Sequence, residues 1–292
     1  MLGLRPRDPL SFTRKVWAVA QHVLMGNDWP TTLLDGLGIA PGLGVVEVSV
    51  RSAVSLGSSE RLRIAFASDF HAGPTTHPAQ IDRAIAAIAA SEPDLILHGG
   101  DFVGHRPSDV RRLAPGLRSL KAPLGSFAVL GNHDNHTDPT LVAEVLGECG
   151  IHLLLNEAVC LPPPFERTRL IGLDDHTTGA PDATQISPAP ELTTIFLLHQ
   201  PSGLLDATEH RVDLALAGHT HGGQIVLPGG YAPITPSGAL SRRYLAGRYA
   251  LRNGGVLMVS RGIGASTIPL RWNAPPDMIV VTLCGAGAEV SC

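Results

Sequence analysis

The stretch Ile64-Ala65-Phe66-Ala67-Ser68-Asp69-Phe70-His71 decides the fold. Four apolar residues in a row make a strand buried on both faces, and the polar burst after them marks where it ends. The unit recurs four times. Leu95-Ile96-Leu97-His98 leads into Gly99-Gly100-Asp101, and Phe127-Ala128-Val129-Leu130 into Gly131-Asn132-His133-Asp134. Ile195-Phe196-Leu197-Leu198 leads into His199-Gln200, and Leu214-Ala215-Leu216-Ala217 into Gly218-His219-Thr220-His221. Helical stretches fall between: residues 79–90 put Ile81, Ile85 and Ile88 on one face, and Asp138-Pro139 reads as the N-cap and first turn of a helix reaching Cys149. Over 109–120 a helix conflicts with Pro115. Strand and helix in alternation predict an α/β core, whose sheets hold ligands beyond the carboxyl ends of their strands. All five polar bursts stand at such ends.

The chain has 292 residues, 44% hydrophobic and 16% charged, which suffices for one large domain or two small ones. Its 32 glycines and 24 prolines are spread among apolar runs, excluding a disordered or fibrous chain. The formal net charge is −4 and no long Lys/Arg block exists, so no nucleic-acid partner is expected and any anion site must be local. Cys149, Cys160, Cys284 and Cys292 show no C-x-x-C spacing, which argues against a thiolate zinc site or a disulfide scaffold and favours a reducing, cytoplasmic setting. Residues 180–190, rich in Pro, Asp, Thr and Ser, read as a surface loop.

Near the N-terminus, Arg5, Arg7, Arg14 and Lys15 precede an uncharged run, 16–27, too short and polar to span a bilayer. The Ala18-Val19-Ala20 triplet interrupts this run instead of following it, so secretion by a cleaved signal is the lesser expectation. Phe12, Val16, Val19, Val23 and Leu24 fall opposite Arg14, Lys15 and His22 on a helix. Such a stripe is expected to pack on its own domain, with peripheral membrane contact through residues 11–25 as the alternative.

The strand ends carry Asp69, His71, Asp101, Asn132, His133, His199, His219 and His221. Taken singly, each is an ordinary turn-forming polar residue. Together they are a mixed oxygen and nitrogen donor set without thiolate, suited to borderline divalent ions. One catalytic ion uses about three or four protein groups, whereas two ions about 3.5–4 Å apart and bridged by a carboxylate use about seven, so the count favours a pair. Asp69 and His71, read as part of an extended segment, would point to one side, as would His219 and His221.

These blocks, in this order, resemble the signature of the calcineurin-like metallophosphoesterases: D-x-H, G-D, G-N-H-D, a lone His and G-H-x-H. Further matches at His221-Gly222-Gly223-Gln224-Ile225, Gly262-Ile263-Gly264-Ala265-Ser266, Pro269-Leu270-Arg271 and Pro275-Pro276 are similar to the phosphodiesterase branch typified by bacterial YaeI and YkuE. The resemblance implies a four-layer αββα sandwich of two mixed β-sheets flanked by helices. It places the metallophosphoesterase domain at 61–285, after an N-terminal extension (1–60) and before a short tail (286–292). It implies that Asp69, His71, Asp101 and His221 hold one ion, with Asp101 bridging to a second held by Asn132, His199 and His219. His133 would protonate the leaving group and Asp134 would orient or tune it. The expected cofactors are two divalent ions, manganese first, with iron, zinc, nickel or magnesium also compatible.

The implied reaction is hydrolysis of a phosphodiester or phosphomonoester, the partner being a small phosphate ester or a lipid-linked substrate. A UDP-diacylglucosamine-type pyrophosphatase is the alternative, set back because those enzymes tend to carry Arg where His133 stands. An inert binding scaffold of the same fold is a third reading, and such scaffolds lose ligands. The sequence leaves oligomeric state and physiological substrate open. His98 reads as a core imidazole and His105 and His136 as loop residues near the pocket. Arg271 suits either a phosphate clamp or a structural prop.

Overall fold

The computed structural model describes residues 12–236, 238–252 and 254–288. In chain order the strands are β1 (Gly44–Arg51), β2 (Arg61–Ala67), β3 (Leu95–His98), β4 (Ser126–Ala128), β5 (Ile151–Leu153), β6 (Glu157–Cys160), β7 (Thr168–Gly172), β8 (Thr193–Leu197), β9 (Leu214–Ala217), β10 (Gly247–Ala250), β11 (Val256–Val259) and β12 (Asp277–Cys284). They form two six-stranded sheets, ordered β1-β12-β2-β3-β4-β5 and β10-β11-β9-β8-β7-β6. Both are mixed: β2 to β5 are parallel, as are β7, β8, β9 and β11, with β2 antiparallel to β12 and β6 and β10 antiparallel to their neighbours. The apolar runs read from sequence fall in β2, β3, β8 and β9, where burial on both faces demands hydrophobicity, and at the end of β4, whose run continues past Ala128.

The inner faces pack on each other through Phe66, Leu95, Leu97, Ile195, Leu197 and Leu216. Over the outer face of the first sheet lie α3 (Pro78–Ala90), α4 (Ala114–Ser119) and α6 (Pro139–Glu148), the short α5 (Asn132–His136) preceding α6. In α3, His77 caps the first turn by accepting from the Ala79 amide at 3.3 Å, and Ile81, Ile85 and Ile88 are buried. Asp138 caps α6 by accepting from the Leu141 amide at 3.0 Å. Pro115 does not break a helix: it stands in the first turn of α4, where the missing amide costs nothing, after a 3-10 helix at Pro107–Arg112.

The outer face of the second sheet is covered by a 3-10 helix at Pro201–Asp206 and by residues 180–190, whose Ala183 and Ile186 are buried in that core. The stretch read as a surface loop is one, without helix or strand and largely exposed, and it is anchored by those two apolar residues. Two further helices, α1 (Phe12–Leu24) and α2 (Trp29–Gly36), precede β1. Among the described residues no helix is long and apolar enough to cross a membrane. Cys149 and Cys160 are free, but Cys284 is disulfide-bonded, so the expectation of a reduced chain fails there. One bridge needs neither a C-x-x-C pair nor a cysteine-rich framework.

Candidate metal centre

The parallel register carries the ladder past the strand ends. Ala67 pairs with His98, and the Asp69 and His71 amides go on to donate to the Gly100 and Asp101 carbonyls at 2.9 and 3.0 Å. The D-x-H and G-D blocks are thereby held side by side. The backbone then leaves the extended region: Asp69 (φ 56°), His71 (φ 43°), Asp101 (φ 53°), His219 (φ 71°) and His221 (φ 52°) are all left-handed. This corrects the expectation that Asp69-x-His71 and His219-x-His221 share a side because they are extended. Sharp left-handed turns aim them instead, at a steric cost of about 1–3 kcal/mol each that the surrounding packing must offset. Nearby glycines are needed for close approach: a Cβ on Gly131 would overlap Asp101 Oδ1, and one on Gly218 would overlap Ser68 Oγ and Asp69 Oδ2.

Two groups of donors result. In one, His71 Nε2 lies 3.0 Å from His221 Nε2, and His221 Nε2 lies 3.5 Å from Asp69 Oδ1. In the other, His199 Nε2 lies 3.0 Å from Asn132 Oδ1 and 3.1 Å from His219 Nδ1. Asp101 Oδ2 stands between them, 3.5 Å from both His71 Nε2 and His199 Nε2. Donors around an ion at about 2.1 Å lie about 3.0–3.4 Å from one another, so the spacings fit coordination. Burial lowers His71 and His221 well below the usual histidine value, so each is neutral, and neutral imidazoles turning Nε2 on one another suit a shared cation. The residues therefore fit divalent ions.

Desolvation pushes the Asp101 carboxyl up to about 7. Desolvation opposes charging of His199 too, but Asp101, Asp175 and Asp69 outweigh it and raise His199 to about 9. Asp69 is held by the His219 amide at 2.9 Å and the Ser68 hydroxyl at 2.7 Å.

His133 is grouped with His71 and Asp101 and faces the cavity beyond them. Its Nδ1 donates to the Gly104 carbonyl at 2.5 Å. Burial lowers it to about 4. Asp134 does not touch that ring among the contacts seen. Its carboxylate accepts from the Phe102, Val103 and Gly131 amides, tying the β3 and β4 loops together, while the His133 amide donates to Asp101 Oδ1 at 2.8 Å.

His105 leans on His133 with ring centroids 5.3 Å apart, and His136 is buried rather than on a surface loop. Arg271 is a prop. Its guanidinium is buried, donating to the backbone carbonyls of Arg261, Gly264, Ala274 and His221, and it lies 3.0 Å from His221 Nδ1, fixing the backbone around that ring.

Asp175 is the residue that sequence reasoning missed. It is buried behind His199, accepts from Gln200 Nε2 at 2.6 Å and from Thr178, and is held below the usual carboxylate range because His199 and these donors overcome desolvation. Its signal was present: Gly172-Leu173-Asp174-Asp175 is a sixth polar burst after an apolar run.

Residues 62–223 match the family model of the calcineurin-like phosphoesterases. The chain belongs to that family. This metallophosphoesterase is 32% identical over 244 residues to the uncharacterized metallophosphoesterase YkuE of Bacillus subtilis, covering 81% of this chain and 84% of that protein. It is 32% identical over 233 residues to the phosphodiesterase YaeI of Escherichia coli, covering 76% and 82%. A zebrafish transmembrane protein with a metallophosphoesterase domain is 31% identical over 244 residues, covering 78% of this chain and 54% of that one. The metallophosphoesterase is thus a hydrolase of phosphoric esters, with two mixed sheets between helical layers.

Proposed function

We propose that this metallophosphoesterase cleaves phosphodiesters or phosphomonoesters at a pair of divalent ions, manganese first among those the donors suit, with His133 as proton donor. The observation that carries this reading is Asp101 Oδ2, 3.5 Å from an imidazole of each donor group and so placed to serve both. Bound there, the ions would lower the pKa of a water toward neutrality and offset charge on the phosphoryl oxygens.

The protein's own part is positioning and proton transfer. With Nδ1 held by Gly104, the other nitrogen of His133 remains for the leaving-group oxygen. An anionic ester beside it raises the low value that burial imposes and favours the protonated ring. A cavity of about 430 Å³ opens over Asp101, Asn132, His133, His219 and His221, and its far wall includes Ile225, Pro233, Ile234 and Ile268. Phosphate sits at the polar floor and an apolar ester group against that wall. With manganese the purified protein is expected to hydrolyse bis-p-nitrophenyl phosphate. No turnover with manganese, iron, zinc, nickel or magnesium at any pH from roughly 6 to 9 overturns the proposal.

A further inference from the structure

The two N-terminal helices turn their apolar faces away from the protein. Among the described side chains of α1, Gln21 is buried and its Nε2 donates to the Thr267 carbonyl, while Val16, Val19 and Val23 recur at helical spacing on the opposite side and are 51%, 63% and 74% exposed. In α2 and its C-cap the pattern repeats: Thr31 is buried with its hydroxyl on the Asp28 carbonyl at 2.8 Å, while Trp29, Leu33 and Leu37 point outward. An amphipathic helix normally does the reverse, because each exposed apolar side chain forgoes about 1.5–3 kcal/mol of burial.

This face continues onto the rim of the catalytic cavity. Thr267, which anchors Gln21, lines that cavity. Pro269 and Leu270 follow it and share a small pocket with Leu34 and Ile39 after α2. Trp272 pairs with the 225–227 segment, the Val226 amide donating to its carbonyl at 2.9 Å, and Tyr231 and Ile234 come next on the rim. Trp272 and Ile234 are 56% and 77% exposed. Exposed apolar residues thus occur from both helices to the mouth of the cavity, the kind of surface that marks an interaction face.

We infer that this surface docks on an anionic lipid bilayer, with the mouth of the cavity turned toward the headgroups. Charge selects that occupant. Although the chain is net negative, residues 214–276 contain six arginines (Arg242, Arg243, Arg248, Arg252, Arg261 and Arg271) and no Asp or Glu. Arg242 and Arg243 are exposed beside Leu245, whose carbonyl accepts from Thr220 of the cavity wall. The acids of the helical region, Asp28 and Asp35, are paired with Arg112 at 3.0 Å and Arg83 at 3.2 Å. Trp29 in α2 and Trp272 on the rim are 53% and 56% exposed, and indoles favour the level of the headgroups. A second copy is the poorer occupant, because a two-fold contact through this face would set its arginines against each other. Basic residues with outward Trp, Leu and Val are the composition of interfacial helices.

The test is co-sedimentation of the full chain with vesicles of phosphatidylcholine, with and without phosphatidylglycerol, at low and high salt. The protein is expected to sediment with the phosphatidylglycerol vesicles and to be partly released by salt. Val19→Ser/Val23→Ser/Leu33→Ser should weaken binding roughly tenfold or more, and Arg242→Glu/Arg243→Glu should remove the preference for phosphatidylglycerol. In the serine variant circular dichroism and hydrolysis of the soluble diester should match the wild type. The inference is overturned if the wild type stays in the supernatant, if the serine variant sediments equally, or if gel filtration shows a dimer that those substitutions split while no vesicle is bound. Vesicle binding by a protein without phosphoesterase activity would leave the docking intact and refute the catalytic reading alone.

Discussion

Asp101 touches both donor groups through one oxygen, so replacing its charge while keeping its shape is the sharpest single-residue experiment. Asp101→Asn is expected to lose both ions, read by metal analysis of the purified protein. His133→Ala is expected to keep them and to lose about 10²-fold in rate, since it removes a proton donor and no ligand in this reading. Two ions retained in Asp101→Asn would refute the bridging role. Residue types were the most legible feature of the sequence, because each metal-seeking side chain stands directly after an apolar run. Asp175 escaped because its run, Leu170-Ile171-Gly172-Leu173, is interrupted by a glycine, although its burst, Asp174-Asp175-His176, has the same polar character as the others.

At the scale of the elements, the donors ride on turns that leave parallel strands, and those turns are packed until no atom can be added. Gly131→Ala places a methyl against Asp101 Oδ1 and 2.7 Å from His199 Cε1. Overpacking of this kind costs about 1–3 kcal/mol, and here the atoms that must yield are donors. The variant is expected to fold, by circular dichroism, with a lowered Tm and reduced metal content; wild-type content would show that the loop can relax. The sequence announced these turns by glycine and polar composition. It did not announce their left-handed backbone, since Asp and His at such φ are uncommon and only the packing around them holds them there.

For the whole molecule, burial of imidazoles sets the response to acid. His98, between the Phe70 and Phe102 rings, is lowered by desolvation to about 4 from an ordinary value of 6.5. A histidine depressed by folding contributes stability that is present above its unfolded value and lost as pH falls through its folded one. For His98 that window runs from 6.5 down to about 4 and is worth about 3 kcal/mol. His98→Phe should therefore lose less stability than the wild type between neutral pH and about 4.5, measured by urea unfolding of the metal-free protein. Parallel losses in the two proteins would show that His98 is not held neutral.

By itself the sequence determined the α/β class, the central strands and the chemical kind of every donor, because burial on both faces and metal-seeking side chains are both written in local residue order. The tertiary structure decided what lies between elements: that Asp101 stands midway between two imidazole groups, that Arg271 is spent on backbone and on His221, and that Asp134 acts through amides. It also decided which way α1 faces. The same stripe of valines suits a core or a lipid surface, and the Gln21 contact with Thr267, far along the chain, goes with the stripe facing outward.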